Sequence, residues 1–129
     1  MLARQDDLPM LEAIISSGIP GLYPTPDGQL NILDKLPSRR MDAATSRLAD
    51  DIVLAGVPWS SFFTGEGVAL HGTYWHDNFG IPMSHGCVNM KTEDAKWVFR
   101  WSRPTSGFDD IDKQTLDVKG YGTAFNVHY

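Results

Sequence analysis

A chain of 129 residues suits one domain built around one hydrophobic core. With 42% hydrophobic and 21% charged residues it is globular in composition, which excludes a disordered chain. A net charge of -5 without any basic run argues against a nucleic-acid binder, because phosphate contacts need clustered Lys and Arg.

The opening Met1 to Asp7 has no apolar stretch of the kind a signal peptide carries, and no segment approaches the ~20 apolar residues of a membrane helix. Met10 to Ser16 reads as a strand ending at a Ser17-Gly18 turn. Gly18 to Gly28 holds Pro20, Pro24, Pro26 and Asp27-Gly28 and reads as a loop leading into a turn. Leu30 and Ile32 alternate with Asn31, the period of a half-buried strand. Residues 34 to 51 are ambiguous between a long loop and a short helix from Asp42 through Leu48. Ile52 to Leu54 and Trp59 to Phe63 read as strands around Pro58, and Val68 to Leu70 as a short strand delivering His71. A helix over about 92 to 102 is the clearest element. Thr92 is the expected N-cap, Glu93 and Asp94 lie at the positive end of the dipole, and Trp97, Val98 and Trp101 form an apolar face before Pro104. Phe125, Val127 and Tyr129 alternate as a closing strand. The expectation is a mainly β domain with one helix and long loops.

Chemistry concentrates in His71-Gly72-Thr73-Tyr74-Trp75-His76 and Ser84-His85-Gly86-Cys87-Val88-Asn89-Met90. A lone cysteine is more often inert core, and Cys87, being alone, cannot form an internal disulfide or reveal the compartment. Its neighbours point the other way. Gly86 removes bulk beside the sulfur and lets backbone N–H groups converge, and Ser84, His85 and Asn89 are polar. A nucleophilic cysteine needs a base, for which His71 and His85 are candidates, and donors aimed at an oxyanion. His71, His76, His85 and Cys87 are also zinc-ligand types, but their spacing fits no metal motif. His76 and His128 read as surface or packing histidines.

His-Gly-Thr followed sixteen positions on by the cysteine of Ser-His-Gly-Cys-Val-Asn resembles the signature of the L,D-transpeptidase catalytic domain, the YkuD family. The resemblance extends to Ser17-Gly18, Tyr23 to Gly28, Val57-Pro58-Trp59, Phe62 to Gly65 and the Glu93-Asp94-Ala95 helix start, and so covers most of residues 11 to 129. It implies a sandwich-like or barrel-like β domain over 1–129. The family's opening strand is expected to be missing ahead of Met10, as in a chain that begins late. It implies Cys87 as nucleophile, His71 as base and the Gly72 carbonyl orienting the imidazole. Amides of Gly86 and Cys87, with His85, would form the oxyanion hole, Ser84 and Asn89 would shape the loop, and Tyr74 and Trp75 would line the donor groove. The substrates implied are peptidoglycan stem peptides, donor and acceptor, joined in a 3-3 cross-link without metal or cofactor. Carbapenems and other β-lactams are the implied inhibitors, and a cell-envelope location follows from function alone. Two alternatives remain open on the residues: an L,D-carboxypeptidase that only trims stems, and a wall-binding module without catalysis.

Overall fold

The computed structural model describes residues 1–41, 53–104 and 122–128. The short helix considered for Asp42 to Leu48, Ile52 and Tyr129 lie outside them. Among the described residues are eight strands and one helix, a mainly β architecture whose three sheets do not close into a barrel.

β1 (Leu2–Gln5) and β2 (Leu8–Glu12) form an antiparallel hairpin. A strand therefore precedes the Met10 segment, where the sequence reading expected none. The two-residue turn is Asp6-Asp7, both with positive φ (51° and 65°), a geometry that Asp tolerates better than most residues and that matches the twist of a tight hairpin. The expected strand Met10 to Ser16 is divided. Its first half belongs to β2, and its end runs along β7 (Val88–Met90), where Ser16 and Asn89 exchange backbone hydrogen bonds of 2.9 and 2.8 Å.

β3 (Gly28–Asn31) pairs antiparallel with β8 (Ala124–Val127), the closing strand expected from the alternation. Phe125 and Val127 are half-buried, while Ala124 and Asn126 are exposed. The four-stranded sheet runs β4 (Asp34–Met41), β5 (Leu54–Phe62), β6 (Ala69–Gly72), β7. β4 fills a stretch left ambiguous by its sequence. β5 is one strand that passes through Pro58, where two strands around it were expected. Pro58 stands opposite Ser38 of β4, and β6 pairs with β5 only farther along, at Ser61 and Phe62. β6 and β7 are parallel, with Leu70 opposite Val88, His71 opposite Asn89 and Gly72 opposite Met90.

The strand period of two divides β6 and β7 between faces. Leu70, Val88 and Met90 join the core that also holds Ala95 and Val98 of α1 (Thr92–Trp101), whereas Ala69 faces a second cluster with Leu36, Met41, Val57 and Phe62. A Cβ on Gly72 would meet Pro58 Cγ at 2.9 Å and Thr92 Cα at 3.2 Å, so glycine there lets the helix start lie against the sheet. His71 and Asn89 share the opposite face.

α1 begins one residue earlier than expected. Lys91 occupies the N-cap position without a side-chain cap, and its carbonyl accepts from Ala95 N–H, so Thr92 is the first helical residue. The buried stripe is Ala95, Val98 and Phe99. Trp97 and Trp101, expected on that stripe, stack on each other (5.2 Å, 23°) along its edge, and Trp101 Nε1 donates to Gln5 Oε1 of β1. The helix C-terminus is held from the sheet: Lys35 Nζ donates to the carbonyls of Phe99 (2.6 Å) and Ser102 (2.7 Å).

Candidate active site

Val68 to Gly72 is short, apolar and central, so the sheet buries what it carries. His71 is only 2% exposed. Its Nδ1 lies 3.0 Å from the Gly72 carbonyl. A carbonyl only accepts, so the proton sits on Nδ1 and the Nε2 lone pair is left available. Burial lowers the His71 pKa from 6.5 to about 4, with the Gly72 bond opposing that shift and the neighbouring His76 adding to it. The imidazole is neutral at physiological pH. The Trp75 ring stands 5.7 Å from it, centre to centre, and packs against the Leu36–Met41 cluster behind.

Cys87 immediately precedes β7, half-buried at the edge of the helix-side core. The turn that presents it is closed by Ser84, whose Oγ accepts from Gly86 N–H (3.2 Å) and donates to the Cys87 carbonyl. Gly86 has φ of +122°, open essentially to glycine alone. In this loop the Gly86 amide donates to Ser84 Oγ. Glycine's visible contribution is the shape of the turn.

The Ser17–Thr25 segment buttresses that turn from outside. Ser17 O accepts from the N–H groups of Met83 (2.9 Å) and Ser84 (3.1 Å), and Ile19 N–H donates to Ser84 O. Gly18 N–H donates to buried Thr25 Oγ1 (2.8 Å), and a Cβ on Gly18 would stand 2.9 Å from Gly86 Cα and 2.0 Å from Tyr23 O. The Tyr23 ring lies on His85 (4.4 Å between centres), so His85 is packed outward against that loop.

The residues after His71 close the other side. Tyr74 is exposed, with its hydroxyl donating to Ala55 O (2.6 Å). His76, read from sequence as a packing or surface histidine, has Nε2 2.9 Å from the Asn89 side-chain amide and Nδ1 3.2 Å from Asn78 N. Ser16 Oγ, fully buried, donates to Asn78 O (3.0 Å). The structure thus brings His71, Asn89 and the Cys87 turn onto neighbouring parallel strands, with Trp75 behind the His71 imidazole. Tyr74 and His85 stand at the margins. Gly18, Tyr23, Thr25 and His76 were not singled out as site residues. The first three fall in a turn visible in the sequence, but its contact with residues about sixty positions on is not written locally.

No group of three or more His, Cys, Asp or Glu side chains among the described residues is arranged to hold a metal ion. His76 turns to Asn89 and His85 to Tyr23, so the zinc-type residues do not converge. No described helix is long and apolar enough to cross a membrane.

A family model described as the L,D-transpeptidase catalytic domain, YkuD, matches residues 1–118. The probable L,D-transpeptidase 3 of Mycobacterium tuberculosis is 30% identical over 82 residues, covering 60% of this chain and 30% of that protein. The probable L,D-transpeptidase YbiS of Escherichia coli K12 is 38% identical over 39 residues, 30% of this chain and 13% of that protein. Among solved structures, LD transpeptidase LdtMt1 in complex with imipenem superposes with a TM-score of 0.66 at 26% identity, covering 73% of this chain and 45% of that one. L,D-transpeptidase 3 from Mycobacterium tuberculosis superposes with 0.60 at 32%, covering 68% and 39%. The chain spans about a third of the curated relative with the longer match and under half of these structures.

Proposed function

This chain belongs to the L,D-transpeptidase catalytic-domain family, and from that premise we propose that it is a peptidoglycan L,D-transpeptidase acting through Cys87 with His71 as general base. The observation that carries the reading is His71 itself. It is a buried, neutral imidazole, its Nδ1 proton committed to the Gly72 carbonyl and its Nε2 free to accept, one strand away from the cysteine turn.

The chemistry runs in two acyl transfers. Cys87 Sγ attacks the carbonyl of the third residue of a donor tetrapeptide stem as His71 Nε2 takes the thiol proton. Because burial holds His71 neutral, the proton moves with the attack. Amides of the His85–Cys87 turn stabilise the oxyanion, with Ser84 and Gly86 fixing the turn's shape. Collapse breaks the peptide bond, and the departing D-alanine amine recovers the proton from His71, leaving a thioester on Cys87. The side-chain amine of an acceptor stem then attacks the thioester, His71 takes its proton, and the 3-3 cross-linked product leaves Cys87 as the thiol. Asn89 steadies β7 behind the nucleophile, Trp75 walls the base, and Tyr74 stands at the groove rim. No step calls for a metal or cofactor. Such substrates place the enzyme in the cell envelope.

The test is intact-protein mass spectrometry after incubation with imipenem, in which the lactam C–N bond opens on sulfur and the whole drug mass is retained. One increment on wild type and none on folded Cys87→Ala is expected. His71→Ala should acylate about a hundredfold more slowly, a typical general-base contribution. An unmodified, folded wild type, or an adduct on Cys87→Ala, overturns the assignment. Product masses from a tetrapeptide stem separate transfer to an amine from trimming by water.

A further inference from the structure

One histidine outside the motif stands between two donors. His76 Nδ1 receives the backbone N–H of Asn78 at 3.2 Å, and Nε2 faces the Asn89 amide nitrogen at 2.9 Å. An imidazole at neutral pH carries at least one ring proton, so both nitrogens cannot accept. The backbone N–H of Asn78 cannot be reversed, whereas the two ends of a side-chain amide are nearly equal in shape and interchange by rotation. The proton count therefore puts the His76 hydrogen on Nε2 and the Asn89 carbonyl oxygen opposite it.

A second observation concerns the other end of that amide. The other end of the Asn89 amide, on a side chain 3% exposed, has no hydrogen-bond partner among the described residues. Once the carbonyl is turned to His76, that end is the N–H₂ group. Asn89 is the register partner of His71 on parallel strands, so both side chains rise from the same face of the sheet, two residues past Cys87. His76 is in turn held by packing. Its ring lies 5.4 Å from Phe79, and Asn78, which donates to it, is tied through its carbonyl to buried Ser16.

We infer that His76 is a positioning residue: by donating from Nε2 to the Asn89 carbonyl, it fixes which end of the Asn89 amide faces the His71 side of the site and anchors β7 behind the nucleophile. The inference rests on the reading of Cys87 and His71 above. His76 itself touches no reacting atom, and its effect on acylation passes through Asn89.

The test joins a spectroscopic readout with a mutant cycle. Long-range proton–nitrogen NMR on wild type should show His76 with its proton on Nε2 and a bare Nδ1; a proton on Nδ1 overturns the inference whatever the activity. His76→Phe, which keeps ring packing without the bond, should slow imipenem acylation of Cys87 about tenfold or more. The same change in an Asn89→Ala background should slow it less than about twofold, because coupled residues are not additive. His76→Gln, able to donate an amide N–H to the same oxygen, should recover part of the loss. Equal slowing in both backgrounds overturns the proposal. Should the double variant fail to fold, failure of His76→Gln to recover any rate does so. A wild type that is never acylated sinks the Cys87 reading instead, and the tautomer still decides the geometry of His76.

Discussion

The pKa of His71 is set by one residue's surroundings. Its folded value, about 4, lies below the ordinary 6.5 mainly because burial penalises the charged ring. The unfolded chain therefore takes up the proton first as pH falls. Stability from this group is complete above about 6.5 and is lost progressively down to about 4. Urea midpoints of wild type should fall across that window more steeply than those of His71→Gln; parallel curves would contradict the buried-base reading. The acid limb of imipenem acylation should likewise lie below pH 5. Gly18 gives a residue-scale test of the buttress. An added methyl would meet Tyr23 O, Thr25 N and Gly86 Cα, all backbone atoms that cannot step aside singly. Gly18→Ala should destabilise by about 1–3 kcal/mol, as overpacking does, and slow acylation by displacing the cysteine turn. Gly65→Ala, where a Cβ meets nothing within 4 Å, is the matched control and should change neither urea midpoint nor rate.

Among the elements, α1 owes its C-terminal fit to β4. Lys35 is 2% exposed, its ammonium shared by two carbonyls at the helix end and lying 4.9 Å from the Phe99 ring centre. Burial lowers its pKa from 10.5 to about 8. The unfolded chain thus holds the proton across that interval while the folded one releases it, so this group makes the protein more stable as pH rises from 8 to 10.5. Lys35→Met removes the titration. Its stability relative to wild type, read from urea melts, should worsen as pH rises through that window, and a constant difference would refute the account. Lys35 was invisible in the sequence because β4 lacks clean alternation: Lys35 and Leu36 are adjacent and both buried. The same loss of period hid β1, and Pro58 masked the continuity of β5. Where period and dipole spoke together, as in α1 and in Phe125 with Val127, the elements were legible. The candidate site was legible as far as His71 and the Cys87 turn lie in one short stretch. What surrounds them comes from Ser16 to Thr25, and no local pattern announces a contact of that range.

At the scale of the molecule, stability and site are held by different parts of the chain. The proposed reactive face draws on three stretches, Ser16 to Thr25, His71 to His76 and Ser84 to Asn89, joined by backbone hydrogen bonds and the Gly18–Gly86 approach. The far side is closed by β8. Asn31 Nδ2 donates to Gly122 O, Ile32 N–H donates to Thr123 O, and Phe125 meets Phe63 edge to face at 5.0 Å. Phe125 packs on the core containing Phe63 and Ile32 and makes no ring contact with His71, His76, His85 or Trp75. Phe125→Ala should therefore cost about 2–3 kcal/mol, below the ~3–5 of a fully buried Phe because the ring is only half-buried. At a temperature where the variant remains folded, imipenem acylation should stay within about twofold of wild type. A midpoint unchanged by Phe125→Ala would show that β8 adds little to the core. A normal midpoint shift with a collapsed acylation rate would show instead that closing the far side also tensions the sheet that carries His71 and Cys87.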